Sequence, residues 1–335
     1  MKHLKKIIAG SVIGVIVLAL IIFGVIYYSI ANKPFTSKEN VNITIESGES
    51  FYGLLDDLSN KNLIKNETLI KLYVKLNGIT PKITPGVYTI PNDVSLKQFI
   101  NILNTQDTIK VVIPEGYTIE QIADTFQKVG LFSKEEFLSA VQKYPLPSYV
   151  KKEKGRRFAL EGYLFPDTYE FARGEEPDKV IKTMIDEFQN ILKEAEQQTG
   201  VTIDQSQIDN IVTKASVIER EANTFKDMQL VSGVIDNRLA INMPLQIDAT
   251  VIYALGKHVD KVYYKDLDVQ SPYNTYLHKG LPIGPICNPG IKAIEAALKP
   301  AKTNAIYYIL NGKEHYFTDS YQKFLEKKEE LNKTN

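Results

Sequence analysis

The sequence predicts an α+β protein that is attached to a membrane by a single N-terminal transmembrane helix. Residues 7–31 form an uninterrupted uncharged stretch, which is a candidate transmembrane helix. The run Val41-Asn42-Ile43-Thr44-Ile45 alternates apolar and polar residues, as half-buried strands do. Capping boxes such as Thr118-x-x-Gln121 begin amphipathic segments. With 335 residues, the chain has room for the anchor and about two domains.

The uncharged stretch is longer than the roughly 20 residues that a hydrocarbon core requires. Lys2, Lys5 and Lys6 precede it, so the positive-inside rule places residues 1–6 in the cytoplasm and the remaining chain outside it. A cleaved signal peptide is the alternative, but its apolar region usually has about 7–15 residues and ends at small residues. The last part of the stretch here contains three aromatic residues. We therefore expect a single-pass protein of the cytoplasmic membrane with an extracytoplasmic catalytic domain.

Three regions follow the anchor. Residues 32–40 are short and polar, and they predict a linker. Residues 41–105 predict the order strand, helix, helix, strand, which resembles a LysM-like βααβ module of the kind that binds glycans; a plain α+β spacer is the alternative. Residues 106–335 predict a larger mixed α+β domain, with a charged amphipathic helix over 177–198 and a tight hairpin turn at Asn311-Gly312.

The composition excludes several kinds of site. Forty basic and forty acidic residues give no net charge, so the basic footprint of a nucleic-acid-binding protein is missing. One cysteine, Cys287, cannot form an intramolecular disulfide, and the four histidines show no metal-ligand spacing. Cys287 lies in a turn rich in Pro and Gly, which favours a structural role. We expect neither a metal nor a cofactor.

Glu219 is the candidate acid/base. Ile211, Ala215, Ile218 and Ala222 recur at helical spacing and predict a buried stripe. Glu219 follows this stripe and is expected at the boundary between core and solvent, where desolvation would raise its pKa. Glu221 is about 200° further around the helix and is expected to be a solvated surface charge. An ordinary structural carboxylate on the flank of a helix is the alternative for Glu219.

Three further blocks contain candidate binding residues. Residues 160–171 are dense in aromatic side chains, residues 237–253 place a polar cluster after a helix, and residues 271–290 form a loop rich in Pro and Gly. Aromatic rings and amides of this kind suit neutral sugars, whereas a packed loop or a tight interdomain turn is the alternative. The candidate residues, with Ser216 added, are Glu161, Tyr163, Phe165, Asp167, Ser216, Asn237, Gln246, Asp248, Thr250, Tyr253, Tyr273, Asn274 and Tyr276.

The joint occurrence and order of these blocks resembles the MltG/YceG-like family. The blocks are Glu-Gly-Tyr-Leu-Phe-Pro-Asp-Thr-Tyr from Glu161, Ala-Ser-Val-Ile-Glu-Arg-Glu from Ala215, Met-Pro-Leu-Gln-Ile-Asp-Ala-Thr from Met243 and Ser-Pro-Tyr-Asn-Thr-Tyr from Ser271. Where the family often has Asp-Pro-Thr, this chain has Asp248-Ala249-Thr250, which keeps the carboxylate and the hydroxyl.

The resemblance implies an endolytic lytic transglycosylase that cuts nascent peptidoglycan strands. In that family the first Glu of the Ala-Ser-Val-Ile-Glu helix is the acid/base, which is Glu219 here. One such residue suffices, because the muramyl C6 hydroxyl of the substrate closes a 1,6-anhydro ring. Penicillin-binding proteins and the elongation or division machinery are the partners that the resemblance implies.

Two alternative functions remain open. A muramidase-type hydrolase would pair Glu219 with Asp248, and would leave a reducing end instead of an anhydro end. A non-catalytic glycan-binding scaffold would depend on residues 41–105. Some relatives have carried the label aminodeoxychorismate lyase, but the export anchor and the absence of a cofactor motif argue against that cytosolic role.

Overall fold

The computed structural model describes residues 2–46, 48–84, 86–104, 108–257, 259, 262–310 and 315–334. The chain forms two compact units. The N-terminal unit contains residues 1–109 and 171–175, and the larger unit contains residues 110–170 and 176–335. The mixed α+β class is confirmed, because twelve α-helices and six strands are described among these residues.

Helix α1 spans Lys2–Asn32. Its segment Ser11–Asn32 has 22 residues and a mean hydropathy of 2.6, and is long and apolar enough to cross a membrane. A signal sequence near the N-terminus can meet the same criteria of length and composition. Apolar side chains on all sides of the helix are exposed, including Ile13, Leu18 and Val25, which is unusual for a helix that faces water.

The N-terminal unit has the predicted order of elements after α1. Strand β1 (Val41–Ile45) pairs antiparallel with β2 (Gly86–Ile90), and Val41 lies opposite Ile90. Helices α2 (Phe51–Asn60) and α3 (Glu67–Leu76) lie between these strands in sequence, and α4 (Leu96–Asn104) follows them. The core is built from the apolar faces of these helices and strands, among them Phe51, Leu54, Leu55, Leu58, Ile70, Phe99 and Leu103.

The stretch expected to be a polar linker is packed against this core. Phe35 is buried and forms an isolated β-bridge with Ile64. The Lys65 amide donates to the Pro34 carbonyl at 2.8 Å, and the Thr36 amide donates to the Leu63 carbonyl at 3.0 Å. The apolar Phe35 side chain explains the difference, because its burial holds this part of the stretch against the core.

The larger unit is mainly helical. Helix α5 (Ile119–Val129) begins with the predicted capping box at Thr118, and helix α6 (Lys134–Lys143) begins with a capping box of Ser133 and Glu136. Five helices follow: α7 (Pro177–Thr199), α8 (Ile208–Glu221), α9 (Phe225–Ala240), α10 (Asp248–Leu255) and α11 (Ile291–Leu298). Helix α11 packs against α7, α8 and α9, so the loop that leads into α11 is held directly over α8.

The remaining described elements are four strands and a last helix. Strands β3 (Thr108–Val112) and β4 (Thr168–Ala172) form one two-stranded sheet. Strands β5 (Tyr307–Leu310) and β6 (His315–Thr318) form an antiparallel hairpin in which Tyr307 lies opposite Thr318. The Asn-Gly turn expected between them falls at residues 311–314, outside the described residues. Helix α12 spans Tyr321–Thr334.

Candidate active site

Glu219 lies near the C-terminal end of α8, where the helix leaves the core. Ala215 and Ile218 are fully buried, whereas Glu219 is partly exposed. The Gly290 amide donates a hydrogen bond to Glu219 Oε2 at 3.1 Å. Burial raises the pKa of Glu219 to about 7, the Gly290 hydrogen bond opposes this rise, and the nearby Glu115 charge adds to it. A carboxyl with this pKa is about half protonated at pH 7 and can both donate and accept a proton.

A second carboxylate, that of Glu115, lies beside Glu219. The loop that carries it turns at Gly116, where φ is +77° and an added Cβ would lie 3.6 Å from Glu219 Cγ. At Gly290 an added Cβ would lie 1.9 Å from Glu115 Oε1. Gly290 therefore contacts both carboxylates, through its amide on one side and its Cα on the other. Glu115 was not predicted from the sequence, although its position in Pro114-Glu115-Gly116 between a strand and a capped helix marks an exposed turn.

Asn288 holds the loops around Glu219 together. Its Oδ1 accepts from the Gly162 amide at 3.0 Å and from the Leu164 amide at 2.9 Å. Its Nδ2 donates to the Tyr117 carbonyl at 2.9 Å and to Glu161 Oε1 at 3.1 Å. The side chain is fully buried, and every hydrogen-bonding position of its amide is used. It was also missed from sequence, because nothing local distinguishes it from an ordinary turn Asn.

Glu161 is fully buried. Its Oε1 accepts from the Ile119 amide at 3.0 Å and its Oε2 accepts from the Tyr253 hydroxyl at 2.8 Å, in addition to the bond from Asn288. Burial raises the pKa of Glu161 to about 8, and the hydrogen bonds from Tyr253 and Ile119 oppose that rise. The carboxyl thus ties the start of α5 to α10 and to the loop before α11.

Ser216 and Cys287 join the same loop to α8. The Ile286 amide donates to Ser216 Oγ at 3.0 Å, and Cys287 Sγ lies 3.2 Å from the Ser216 carbonyl. Both side chains are fully buried. Burial raises the pKa of the Cys287 thiol well above its ordinary value, as is typical of an unreactive structural cysteine.

The aromatic block at 160–171 contributes mainly to the core. Tyr163 is fully buried and its hydroxyl donates to Asp209 Oδ1 at 2.7 Å. Asp209 also forms a buried ion pair with Arg156, at 2.6 Å. Phe165 is buried, whereas Asp167 is exposed and its Oδ1 accepts from the Thr168 amide.

Glu221 is not the solvated surface charge expected from its place on the helical wheel. It is only partly exposed, and its Oε2 accepts from the Tyr308 hydroxyl at 2.9 Å. Burial raises the pKa of Glu221 to about 7, and the Asp248 charge adds to the rise. The expectation was wrong because the hairpin of β5 and β6 covers this face of α8, and the pairing of a distant hairpin with a helix cannot be read from the helix alone.

Asp248 and Tyr276 lie on the Glu221 side of the unit. Asp248 is the first residue of α10 and is exposed, and its Oδ1 accepts from the Tyr276 hydroxyl at 2.5 Å. Burial raises the pKa of Tyr276, and the hydrogen bond to Asp248 and the charges of Asp248 and Glu221 add to the rise. The carboxylate whose charge acts on the Glu219 pKa is Glu115 rather than Asp248.

The remaining candidates divide by exposure. Gln246 is exposed and Asn237 is partly exposed, with its amide donating to the carbonyls of Thr303 and Ala305. Four others, Thr250, Tyr253, Tyr273 and Asn274, are buried. Thr250 bonds to Thr275, and Asn274 donates to the Leu267 and Val269 carbonyls, so these side chains fix the 264–276 segment against α10.

Three cavities of the larger unit lie away from Glu219. One of about 410 Å³ is lined by Tyr149, Leu192 and Ile203 among others, and one of about 510 Å³ by Arg157 and neighbouring residues. A third, of about 340 Å³, includes Tyr253 and Tyr273. None of the three is lined by Glu219, whose side chain is partly exposed to solvent.

Within the described ranges, no group of three His, Cys, Asp or Glu side chains is arranged to hold a metal ion.

Known proteins resemble this chain over most of its length. An endolytic murein transglycosylase of Bacillus subtilis is 35% identical over 291 residues, which cover 82% of this chain and 79% of that protein. An endolytic murein transglycosylase of Streptococcus pneumoniae is 30% identical over 315 residues, and the chain spans 56% of its length. The crystal structure of a yceG-like protein from Listeria monocytogenes is 33% identical, has a TM-score of 0.58, and is matched over 87% of this chain and 99% of that one. The YceG-like family model matches residues 43–330, which confirms the resemblance drawn from the motifs. The chain is therefore a member of the YceG-like family.

Proposed function

We propose that this protein is an endolytic peptidoglycan lytic transglycosylase and that Glu219 is its acid/base. The observation that carries the proposal is the placement of Glu219: its carboxyl is partly buried, is held by the Gly290 amide and has a pKa raised to about 7. Relatives at 30–35% identity that are named endolytic murein transglycosylases support the substrate class.

Glu219 acts twice in the reaction. The protonated carboxyl gives its proton to the oxygen that links C1 of N-acetylmuramic acid to N-acetylglucosamine, and this bond breaks as positive charge develops at C1. The resulting carboxylate takes the proton of the C6 hydroxyl of the same muramic acid residue. The C6 oxygen bonds to C1, which gives a 1,6-anhydro end and returns the proton to Glu219. Water is not consumed.

The contacts around Glu219 suit this double role. Oε2 is fixed by Gly290, whereas Oε1 accepts no hydrogen bond from the described residues and can face the substrate. The Glu115 charge favours the protonated form that begins the cycle. Asn288, Glu161 and Ser216 are buried positioning residues, since their hydrogen bonds fix the loops that carry Gly290 and Gly116.

A glycan hydrolase is the second candidate, because a second carboxylate lies beside Glu219. Hydrolases use two carboxyl groups roughly 5–9.5 Å apart, and Glu115 would take the role that was predicted for Asp248 from the sequence. The two reactions differ in the product, because a hydrolase leaves a reducing muramic acid end.

Mass spectrometry of digested peptidoglycan tests the proposal. The wild-type protein should give fragments that end in 1,6-anhydro-N-acetylmuramic acid, and Glu219→Gln should lose roughly 10²–10⁴-fold or more of this activity, since one residue serves both proton transfers. Glu194→Gln, on the exposed side of α7, is the matched control and should act like the wild type. Products with reducing ends would favour the hydrolase. A folded Glu219→Gln variant that still forms anhydro ends at the wild-type rate would show that Glu219 is not the acid/base.

We also propose that α1 spans the cytoplasmic membrane, with its lysine-flanked N-terminus in the cytoplasm and residues 32–335 outside. The length and hydropathy of Ser11–Asn32 support this arrangement. Protease added to spheroplasts should then degrade the large domain. Protection of that domain in intact spheroplasts would mean that the orientation is reversed. An enzyme held there would work beside the penicillin-binding proteins of the elongation and division machinery, which are the proposed partners.

The LysM-like role of residues 41–105 also stays a proposal. It is supported by the observed order β1, α2, α3, β2, and we expect the module to bind glycan without contributing to the chemistry. Titrating the full-length protein with chitin oligosaccharides should shift NMR signals of residues 41–104 even in Glu219→Gln. If these signals do not move, the module is a spacer.

A further inference from the structure

Helix α3 has more apolar surface than its core contacts require. Ile70 and Val74 are buried in the N-terminal unit, at 0% and 1% exposure. A second apolar stripe, which we call the outer stripe of α3, consists of Leu69, Leu72, Tyr73 and Leu76. These residues recur at the i, i+3, i+4, i+7 spacing of one helical face. Leu72 is partly exposed and Leu76 is 67% exposed, whereas Leu69 and Tyr73 are partly exposed and also pack against the edge of the core.

Contacts with α1 fix the place of the outer stripe. The rings of Tyr27 in α1 and Tyr73 in the stripe lie 6.1 Å apart between centroids. Ile30, near the end of α1, is buried in the core of the same unit. The bridge between Phe35 and Ile64 then joins the chain after α1 to the segment before α3. Helix α3 is therefore held against the last turns of α1.

The length of α1 sets the level of this contact relative to a bilayer. From Ile7 to Tyr27 the helix rises by about 30 Å at 1.5 Å per residue, which equals the thickness of a typical hydrocarbon core. With Lys6 at the inner boundary, Tyr27 lies at the outer boundary, where Tyr is enriched. Tyr73, whose ring lies 6.1 Å from that of Tyr27, is at the same level, and Leu76 is one helical turn further along α3.

Basic side chains accompany the outer stripe. Lys65 precedes α3 and Lys75 lies next to Leu76, and both are exposed. Apolar side chains flanked by lysines are the pattern of helices that lie in the interface of anionic membranes. A partner that is apolar at depth and anionic at its surface matches both features.

We propose that α3 is an interfacial helix whose outer stripe inserts into the outer leaflet of the membrane that α1 crosses. The occupant of this surface is thus the lipid bilayer with anionic headgroups. The proposal rests on the membrane-spanning role proposed above for α1. Its consequence is that the N-terminal unit is fixed on the membrane surface instead of moving freely on a tether.

Spin labels on the full-length protein in vesicles of phosphatidylcholine and phosphatidylglycerol test the proposal. Cys287 is fully buried, so a cysteine introduced at an exposed position can be labelled selectively. Leu76→Cys reports on the outer stripe, and Leu18→Cys reports on the middle of α1. Thr44→Cys, exposed on β1, is the matched control. Collisions with oxygen, which concentrates in lipid, are compared with collisions with a water-soluble nickel complex.

We expect the labels at positions 18 and 76 to collide preferentially with oxygen, and the label at position 44 to collide preferentially with the nickel complex. If position 18 lies in lipid while position 76 collides with nickel as often as position 44 does, the interfacial helix is overturned and the anchor stands. If position 18 itself is in water, the membrane-spanning helix fails, and the inference fails with it.

Discussion

Replacing Glu115 by Gln should move the alkaline limb of the pH–rate profile to lower pH. Glu219 must be protonated to begin the reaction, so activity is present below its pKa of about 7 and is lost as the pH rises through that value. The Glu115 charge is one cause of the raised pKa. Removing this charge lowers the pKa of Glu219, and a smaller fraction of the enzyme is then active above pH 7.

The distances at Gly290 give the magnitude of the interaction between the Glu115 and Glu219 carboxylates. Its amide nitrogen lies 3.1 Å from Glu219 Oε2, and a Cβ on it would lie 1.9 Å from Glu115 Oε1. With standard backbone geometry, the two oxygens are at most about 7.5 Å apart. At that distance two unit charges interact by about 0.5–2 kcal/mol for dielectric constants of about 80 to 20. Because Glu115 is exposed, the lower part of this range applies, about 0.5–1.1 kcal/mol, and the pKa of Glu219 should fall by about 0.4–0.8 unit.

Initial rates of glycan cleavage between pH 5 and 9 measure the effect. Glu115→Gln should be about 2.5- to 6-fold slower than the wild type at pH 8, and the two rates should converge near pH 5.5. Gly290→Ala should shift the limb in the same direction, because its Cβ would displace the Glu115 carboxylate while the amide remains. Glu194→Gln is the control for loss of a remote charge. An unchanged limb in both Glu115→Gln and Gly290→Ala would refute the coupling.

Three further predictions concern stability and reactivity. Asn288→Ala should lower the free energy of unfolding by about 3 kcal/mol or more in urea titrations, because four buried hydrogen bonds are lost. A decrease in the free energy of unfolding below about 1 kcal/mol would contradict the role of Asn288 in joining the loops. The pKa of Glu221 is raised to about 7, so the stability that Glu221 contributes is fully present below the pKa it has in the unfolded chain and is lost as the pH rises through 7. Between pH 5 and pH 8, the free energy of unfolding of Glu221→Gln should therefore increase by roughly 1–3 kcal/mol relative to that of the wild type. A difference between the two proteins that stays constant with pH would contradict this. Cys287 should react with a disulfide reagent only after unfolding, since its thiol is buried beside Ser216; rapid labelling of the native protein would contradict it.

Local patterns were sufficient for much of the secondary structure. The capping boxes at Thr118 and Ser133 begin helices, and the helix expected over 177–198 is observed at Pro177–Thr199. These signals are local because the capping hydrogen bonds connect residues only three positions apart. The packing of residues 32–40 was not predicted, since it depends on the burial of Phe35 against Ile64.

Whether the candidate binding residues are buried was harder to predict from the sequence. The sequence placed Tyr163 and Asn274 among residues that could bind a sugar, and the structure buries both of them. Aromatic and amide side chains suit a binding groove and a polar core equally well. Composition alone therefore cannot distinguish the two, and the choice depends on which distant segments cover them.

The sequence by itself determined the α+β class, the apolar N-terminal helix, the family motifs and the position of Glu219 at the edge of a buried helical stripe. Each of these depends on residues that are close in sequence or on a pattern of residue types. Only the tertiary structure decided that Glu115 lies beside Glu219 and that Tyr308 covers Glu221. A pKa depends on the charges and hydrogen bonds that surround a group in space, and these are brought together by loops and hairpins far apart in the chain.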